Sequence, residues 1–299
     1  MTLREALQSV TQALVDATID DARAEAELLL GHVVSISRTQ LYTAPERELT
    51  PAETERLSSV VRRRLDREPA AYIVGQCRFY DLEFHVDHRV LIPRPETELL
   101  VEQALELARR LYHPGSRISI ADIGTGCGAI AVSLARALPE ATVYAVDVSP
   151  SALQVAETNC RRHAVDDRVE LLCGNLLEPL PQPVDMIVAN LPYVTTDDLA
   201  ALSPEIRRFE PVIALAGGDD GLDTIREMVE RVPAKLTNDA CFLMEIGYGQ
   251  GDALTSLVKA HLPQAIIELI PDLGGIPRVM TAVLRQSGGD RRNSTRGKE

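Results

Sequence analysis

The chain has 299 residues, 45% of them apolar, and a formal net charge of −13. That length and apolar content accommodate a globular protein of two domains, and the acidic balance weighs against a general nucleic-acid binder, which would carry a basic face. No apolar run is long enough to span a bilayer, and Met1-Thr2-Leu3-Arg4-Glu5 lacks the apolar core of a signal peptide, so a cytoplasmic protein is expected.

Residues 1–75 read as a small helical domain. Leu3, Leu7, Val10 and Leu14 recur at helical spacing, and Thr2 with Glu5 fits a capping box. A second helix is predicted over 22–34. Thr50-Pro51-Ala52-Glu53 combines a cap, a proline in the first turn and a returning glutamate. Leu57, Val60, Val61 and Leu65 supply the apolar face of the helix that follows. Arg62, Arg63, Arg64 and Arg67 on that helix form either a solvated face or a docking patch for an acidic partner. Residues 76–92 read as a β-hairpin linker, with Phe79, Tyr80, Leu82, Phe84 and Val86 as its strand residues.

Strands then alternate with helices, over 118–123, 142–147, 169–173, 184–189, 240–246, 264–270 and 278–284. Such alternation implies a parallel, doubly wound α/β sheet. The stretch from Pro271 to Pro277 is too short for a parallel crossover, so the last two strands should pair antiparallel. Residues 287–299 hold no apolar residue and read as a disordered tail. Cys77, Cys127, Cys160, Cys173 and Cys241 show no C-x-x-C pairing, and the histidines show no metal spacing. Buried thiols in a reducing compartment, with no bound metal, are expected.

Two motifs carry chemistry. The first is the run 118–123 followed by Gly124-Thr125-Gly126-Cys127-Gly128 and the helix-like Ala129-Ile130-Ala131-Val132. Glycines let the backbone turn tightly and let a ligand approach the main chain. The next strand closes on Asp147, about twenty residues after the loop, where a carboxylate can accept both ribose hydroxyls. Gly124-x-Gly126-x-x-Ala129 also fits the loose dinucleotide pattern, so the loop alone does not separate NAD from S-adenosylmethionine. The spacing Asp122-x-Gly124-x-Gly126-x-Gly128 favours S-adenosylmethionine.

The second motif, Asn190-Leu191-Pro192-Tyr193, follows the apolar run 184–189. A strand ending in Asn-(Pro or Leu)-Pro-aromatic marks enzymes that methylate a planar nitrogen. The Asn190 side-chain oxygen and the Leu191 carbonyl can each accept one N–H of an NH2 group. Pro192 removes a donor and stiffens the turn, and the Tyr193 ring can pack on the flat face of the target. A hydride-transfer enzyme has no use for this turn, so it strongly favours S-adenosylmethionine over NAD.

The chain resembles the HemK/PrmC family, the protein-glutamine N5-methyltransferases that act on peptide chain release factors. The likeness runs from about Asp21 to about Arg285. Besides the two motifs it rests on Glu68-Pro69-Ala70-Ala71-Tyr72-Ile73-Val74-Gly75, Arg78-Phe79-Tyr80-Asp81-Leu82-Glu83-Phe84, Phe209-Glu210-Pro211, Gly217-Gly218-Asp219-Asp220-Gly221-Leu222-Asp223 and Glu245-Ile246-Gly247-Tyr248-Gly249-Gln250-Gly251. Val90-Leu91-Ile92-Pro93-Arg94-Pro95-Glu96-Thr97-Glu98 resembles the family's most distinctive signature, and within it Pro93-Arg94-Pro95-Glu96-Thr97 resembles the release-factor form rather than that of the enzymes acting on a ribosomal protein.

The resemblance implies a seven-stranded, Rossmann-like class I methyltransferase sheet over 93–286 behind the small N-terminal helical domain. It implies S-adenosylmethionine as methyl donor, S-adenosylhomocysteine as product, and the glutamine of a Gly-Gly-Gln loop as acceptor. Asp122, Gly124, Thr125, Gly126, Gly128, Asp147, Asn175 and Asn190 would hold the cofactor. Asn190, Leu191, Pro192 and Tyr193 would hold the acceptor, while Arg94 and Glu96 would either shape the mouth or cap the helix starting near Glu96. The N-terminal domain would grip a distant surface of the release factor, and a monomer is expected. Two positions depart from the family pattern: Leu191 stands for the usual proline, and Asn175 stands near a usual acid. The alternatives are a nucleic-acid adenine or cytosine N-methyltransferase and a catalytically idle S-adenosylmethionine-binding adaptor.

Overall fold

Residues 1–113 and 115–284 are described by a computed structural model; the expected tail at 287–299 lies outside them. The N-terminal helices begin where side chains cap them. Helix α1 (Leu3–Asp16) has the capping box of Thr2 and Glu5. It is followed by α2 (Ala22–Val34), by α3 (Arg38–Thr43), capped by Ser37 and Gln40, and by α4 (Pro51–Leu65), capped by Thr50 and Glu53. Leu3, Leu7, Val10 and Leu14 of α1 bury against Leu30, Val33 and Leu57 in a core of their own. Each such side chain contributes about 1.5–3 kcal/mol on burial.

Arg64 fits neither expectation for the arginine cluster. It is 4% exposed and pairs with Glu25 of α2 and with Glu205 far along the chain, 3.1 Å away. Arg67 reaches the same Glu205 at 3.1 Å, and Arg63 pairs with Glu68. The cluster is largely consumed inside the molecule.

A short helix, α5 (Ala70–Val74), leads into the hairpin of β1 (Gln76–Phe79) and β2 (Leu82–His85). The hairpin is docked rather than free. Phe79, Phe84 and Val86 join the larger core, and Asn159 donates to the His85 carbonyl while its Oδ1 accepts from the His85 amide.

The remaining elements are α6 (Thr97–Leu111), β3 (Ser119–Ile123), α7 (Ala129–Ala137), β4 (Thr142–Asp147), α8 (Pro150–Arg162), β5 (Val169–Cys173), β6 (Val184–Ala189), α9 (Thr196–Ala201), α10 (Pro204–Phe209), α11 (Asp223–Lys235), β7 (Leu236–Glu245), α12 (Gly251–His261), β8 (Ile266–Pro271) and β9 (Pro277–Val283). Their seven strands form one sheet in the order β5-β4-β3-β6-β7-β9-β8. The first five are parallel, and β9 runs antiparallel to both β7 and β8, as the short final connection requires. Alternate residues face opposite layers. Ile120, Val143, Met186, Val188 and Leu243 meet α6, α7 and α8 on one face. Ile123, Val146, Ile187, Phe242 and Met244 meet α11 and α12 on the other. Strand β7 starts at Leu236, four residues before the expected 240, because α11 runs straight into it and Leu236 already pairs with Val184.

All five cysteines are free; Cys127, Cys160 and Cys241 are buried, but Cys173 is exposed, since β5 is an edge strand. The sheet order reverses at β3, which has β4 on one side and β6 on the other. In open α/β sheets a crevice opens at the carboxyl ends of the strands at such a switch point. Both chemical motifs lie there.

Candidate active site

Strand β3 ends in the glycine loop. Gly124 has φ +77°, in the left-handed region where a side chain is strained. A Cβ on Gly124 would stand 3.1 Å from the Leu191 side chain and 3.3 Å from the Asn190 carbonyl oxygen, so the two motifs touch. The amides of Gly124 and Thr125 both donate to the Val146 carbonyl at 2.9 Å, which ties the loop to β4.

Two acids brace this loop in different ways. Asp122 is fully buried beneath it, and one carboxylate oxygen accepts from Thr125 Oγ1 at 2.6 Å and from the Ala131 amide at 3.1 Å. Burial pushes its pKa up to about 7 against these hydrogen bonds. Asp147 closes β4 at the cavity rim, accepting from the Gly126 amide at 2.9 Å and the Ser149 amide at 2.8 Å. Burial raises its pKa as well, against those backbone bonds.

A cavity of about 300 Å³ opens between these ends, at the lower end of small-ligand sites. Of the residues expected from sequence, Gly124, Gly126, Asp147, Asn175, Asn190, Leu191 and Pro192 line it. Asp122, buried beneath the loop, and Thr125 and Gly128 within it do not. The Asn175 amide nitrogen donates to Glu227 at 2.6 Å, which leaves its Oδ1 as the free acceptor of that side chain. Val148, Leu176 and Ile213 supply apolar wall.

Asn190 is held by groups that sequence reasoning did not single out. Its Nδ2 donates to Thr97 Oγ1 and to Glu245 Oε2, both at 3.0 Å. Thr97 Oγ1 in turn donates to Glu245 Oε2 at 2.6 Å, and the Tyr193 hydroxyl donates to Glu245 Oε1 at 3.0 Å. Glu245 is 2% exposed, and burial raises its pKa against the Thr97 and Tyr193 hydrogen bonds. Tyr193 is thus turned toward Glu245 and does not line the cavity.

Gln250 clamps the turn from behind. Its Nε2 donates to the carbonyls of Tyr193 at 3.2 Å and Gly221 at 3.3 Å, and its Oε1 accepts from the Gly247 amide at 2.9 Å. Gly221 is required by this closeness: a Cβ there would lie 2.2 Å from the Tyr193 carbonyl oxygen.

Arg94 and Glu96 stand apart from the cavity. Arg94 pairs at 2.6 Å with the buried Glu210, next to the cavity-lining Pro211. Glu96 is exposed and precedes α6 without a side-chain capping bond, so the capping alternative fails at this residue. Glu245 heads one of the stretches that carry the family resemblance, and it is an acid closing an apolar strand, the pattern that marked Asp147.

Comparison with known proteins agrees with both halves of the chain. The PrmC N-terminal domain family matches residues 5–75, and the methyltransferase small domain family matches 97–204. The release factor glutamine methyltransferase of Koribacter versatilis is 40% identical over 282 residues, covering 94% of this chain and 98% of that protein. That of Moorella thermoacetica is 41% identical over 287 residues, covering 96% and 100%. A solved protein-(glutamine-N5) methyltransferase (release factor-specific) from Alicyclobacillus acidocaldarius is 29% identical, covers 65% of this chain and 95% of that one, and superposes with a TM-score of 0.40.

Proposed function

The chain belongs to the release factor glutamine methyltransferase family, and on that premise we propose that it transfers a methyl group from S-adenosylmethionine to the side-chain amide nitrogen of the glutamine in the Gly-Gly-Gln motif of a peptide chain release factor. The observation that carries this reading is the fixed amide of Asn190. Both groups facing its nitrogen are acceptors, which leaves its oxygen for the cavity it lines, beside Gly124.

The residues around the cavity fit the donor. The glycine backbone lies open at Gly124 and Gly126, the Asp147 carboxylate on the cavity wall could accept from a ribose diol, and Asn175 could offer an oxygen to an adenine amine beside apolar Leu176 and Ile213. When bound, S-adenosylmethionine supplies an electrophilic methyl group on a sulfonium. Asp122, Thr125 and Gly128 serve by holding the loop rather than by contact.

The chain's own task is to make a poor nucleophile react. An amide nitrogen has its lone pair delocalised into the carbonyl. Asn190 Oδ1 and the Leu191 carbonyl each accept one N–H, aim the nitrogen and help it pyramidalise. Ideal alignment can contribute ~7–11 kcal/mol, and acceptors poised for the positive charge developing on nitrogen add an electrostatic term. No strong base is needed beforehand, because the N–H becomes acidic once the nitrogen is alkylated. The N-terminal helices grip a second surface of the release factor, supplying specificity that one glutamine side chain lacks. The reading includes a cytoplasmic monomer acting on protein rather than nucleic acid. The free thiols and the net charge of −13 favour it.

The test offers labelled S-adenosylmethionine with a release factor, a ribosomal-protein mixture or DNA. Label should enter the release-factor glutamine; label in DNA alone would establish the nucleic-acid alternative. Asn190→Ala should cut the rate by ~100-fold or more, about 2.7 kcal/mol of barrier, with cofactor affinity nearly intact. A wild-type rate in that variant would refute the two-acceptor mechanism.

A further inference from the structure

We propose that Glu245 is a positioning residue for methyl transfer: its carboxylate selects the single orientation of the Asn190 amide in which the side-chain oxygen faces the cavity, and it anchors Tyr193 at the same time. This rests on the reading of Asn190 as the group that orients the acceptor.

The argument is one of donors and acceptors. An asparagine amide has two orientations of nearly equal shape, related by a half-turn that exchanges oxygen and nitrogen. Only one presents an acceptor to the substrate. At Asn190 the other end of the amide meets Glu245 Oε2 and Thr97 Oγ1. Thr97 has a single hydroxyl proton, and it is directed to Glu245 at 2.6 Å. Toward Asn190 the threonine therefore acts as an acceptor, and an ionised carboxylate is acceptor-only. The half-turned amide would set its oxygen against two acceptors, one of them charged, in a buried place where unmade hydrogen bonds are costly.

The same carboxylate joins three elements. Thr97 opens α6, Asn190 and Tyr193 follow β6, and Glu245 closes β7. Tyr193 donates to the remaining oxygen, Oε1. A glutamine at 245 would keep the shape and lose the selection, because its NH2 group, turned to Asn190, would stabilise the orientation that hides the acceptor.

Protonation of Glu245 would have a like effect. Burial lifts its pKa; the hydrogen bonds from Thr97 and Tyr193 oppose this, the charge of Glu96 just before α6 adds to it, and Arg278 on β9 opposes it. The acid limb of the rate should accordingly lie above the ordinary glutamate range.

The experiment compares wild type, Glu245→Gln, Thr97→Val and Thr97→Ser, using whichever acceptor the wild type labels. Glu245→Gln should lower kcat by about tenfold or more, with KM and cofactor affinity changed by less than about threefold. Its acid limb should vanish. Thr97→Val should fall in the same direction, and Thr97→Ser, which keeps the hydroxyl, should recover most of the rate. In wild-type protein the Asn190 side-chain amide protons should exchange slowly by NMR, a readout that needs no acceptor. An unchanged kcat in a folded Glu245→Gln protein, or rapidly exchanging Asn190 protons in the wild type, would overturn the assignment. Protected Asn190 protons in an enzyme that labels something other than a release factor would sink the substrate reading and leave this one standing.

Discussion

Leu191 replaces the proline usual at this point of the turn, and its side chain is part of the core. It is 4% exposed and packs among Ile123, Ala189 and Leu222, against the face of Gly124. Leu191→Pro keeps the carbonyl proposed to receive the substrate but gives up part of this contact. The rate should stay within about threefold. Stability should fall by ~1–2 kcal/mol, from one or two lost buried methylene contacts, partly offset by the stiffer unfolded chain. Thermal melts and single-turnover labelling check the two halves separately, and a large loss of rate would give the leucine side chain a place in the chemistry. At this scale the sequence was legible where chemistry is local. Asn190, Gly124, Gly126 and Asp147 announce themselves because a turn and a glycine loop need neighbours in the chain. Thr97 and Glu245 lie 93 and 55 residues from Asn190, and only the sheet brings them together.

The loop between β3 and α7 is built over an acid that resists ionisation, and this gives it a pH signature. The buried Asp122 has a folded pKa of about 7, above the ~3.9 of an unfolded aspartate. Between those values the folded state binds more protons than the unfolded one, so stability is fully present below about pH 4 and falls as pH rises toward about 7. The slope from this one group is at most ~1.4 kcal/mol per pH unit. Asp122→Asn should remove that slope, so the variant should gain on the wild type between pH 5 and pH 8 in urea unfolding. Parallel curves would mean that Asp122 stays ionised. Elements were read well wherever a strand was apolar along its length: β4, β5 and β6 have the bounds expected. The start of β7 was hidden because Thr237, Asn238 and Asp239 carry no strand pattern, and tertiary pairing decides their state.

Over the whole molecule, the N-terminal helices are tied to the methyltransferase sheet by charge as well as by chain. Glu205 on α10 receives Arg64 and Arg67, while Arg64 also holds Glu25 on α2. Nothing in the sequence marks Glu205 as the partner of a helix 141 residues away, which is why the arginines read as a solvated face or a docking patch. Removing Glu205 leaves Arg64 on Glu25 and Arg67 on the Ala17 and Thr18 carbonyls, but takes the Glu205 carboxylate from both guanidiniums, Arg64 being largely buried. Glu205→Ala should therefore cost ~1–3 kcal/mol. It should reduce labelling of intact release factor more than labelling of a short Gly-Gly-Gln peptide, and equal losses on both would show that the ionic tie plays no part in substrate capture. The docked hairpin carries a further mechanical consequence. His85 is bonded to Asn159 and Tyr72 to the Val90 carbonyl, so the hairpin is fixed to the sheet, while the preceding Asp66-Arg67-Glu68-Pro69 is fastened at Arg67 to the carbonyls of Ala17 and Thr18. If the N-terminal helices hold the release factor as proposed, a joint fastened on both sides would work as the jaws of a caliper. A substrate that touches both jaws is then chosen by the span between its gripped surface and its reactive amide, so lengthening the 66–69 segment by a few glycines would loosen the gauge without altering either jaw.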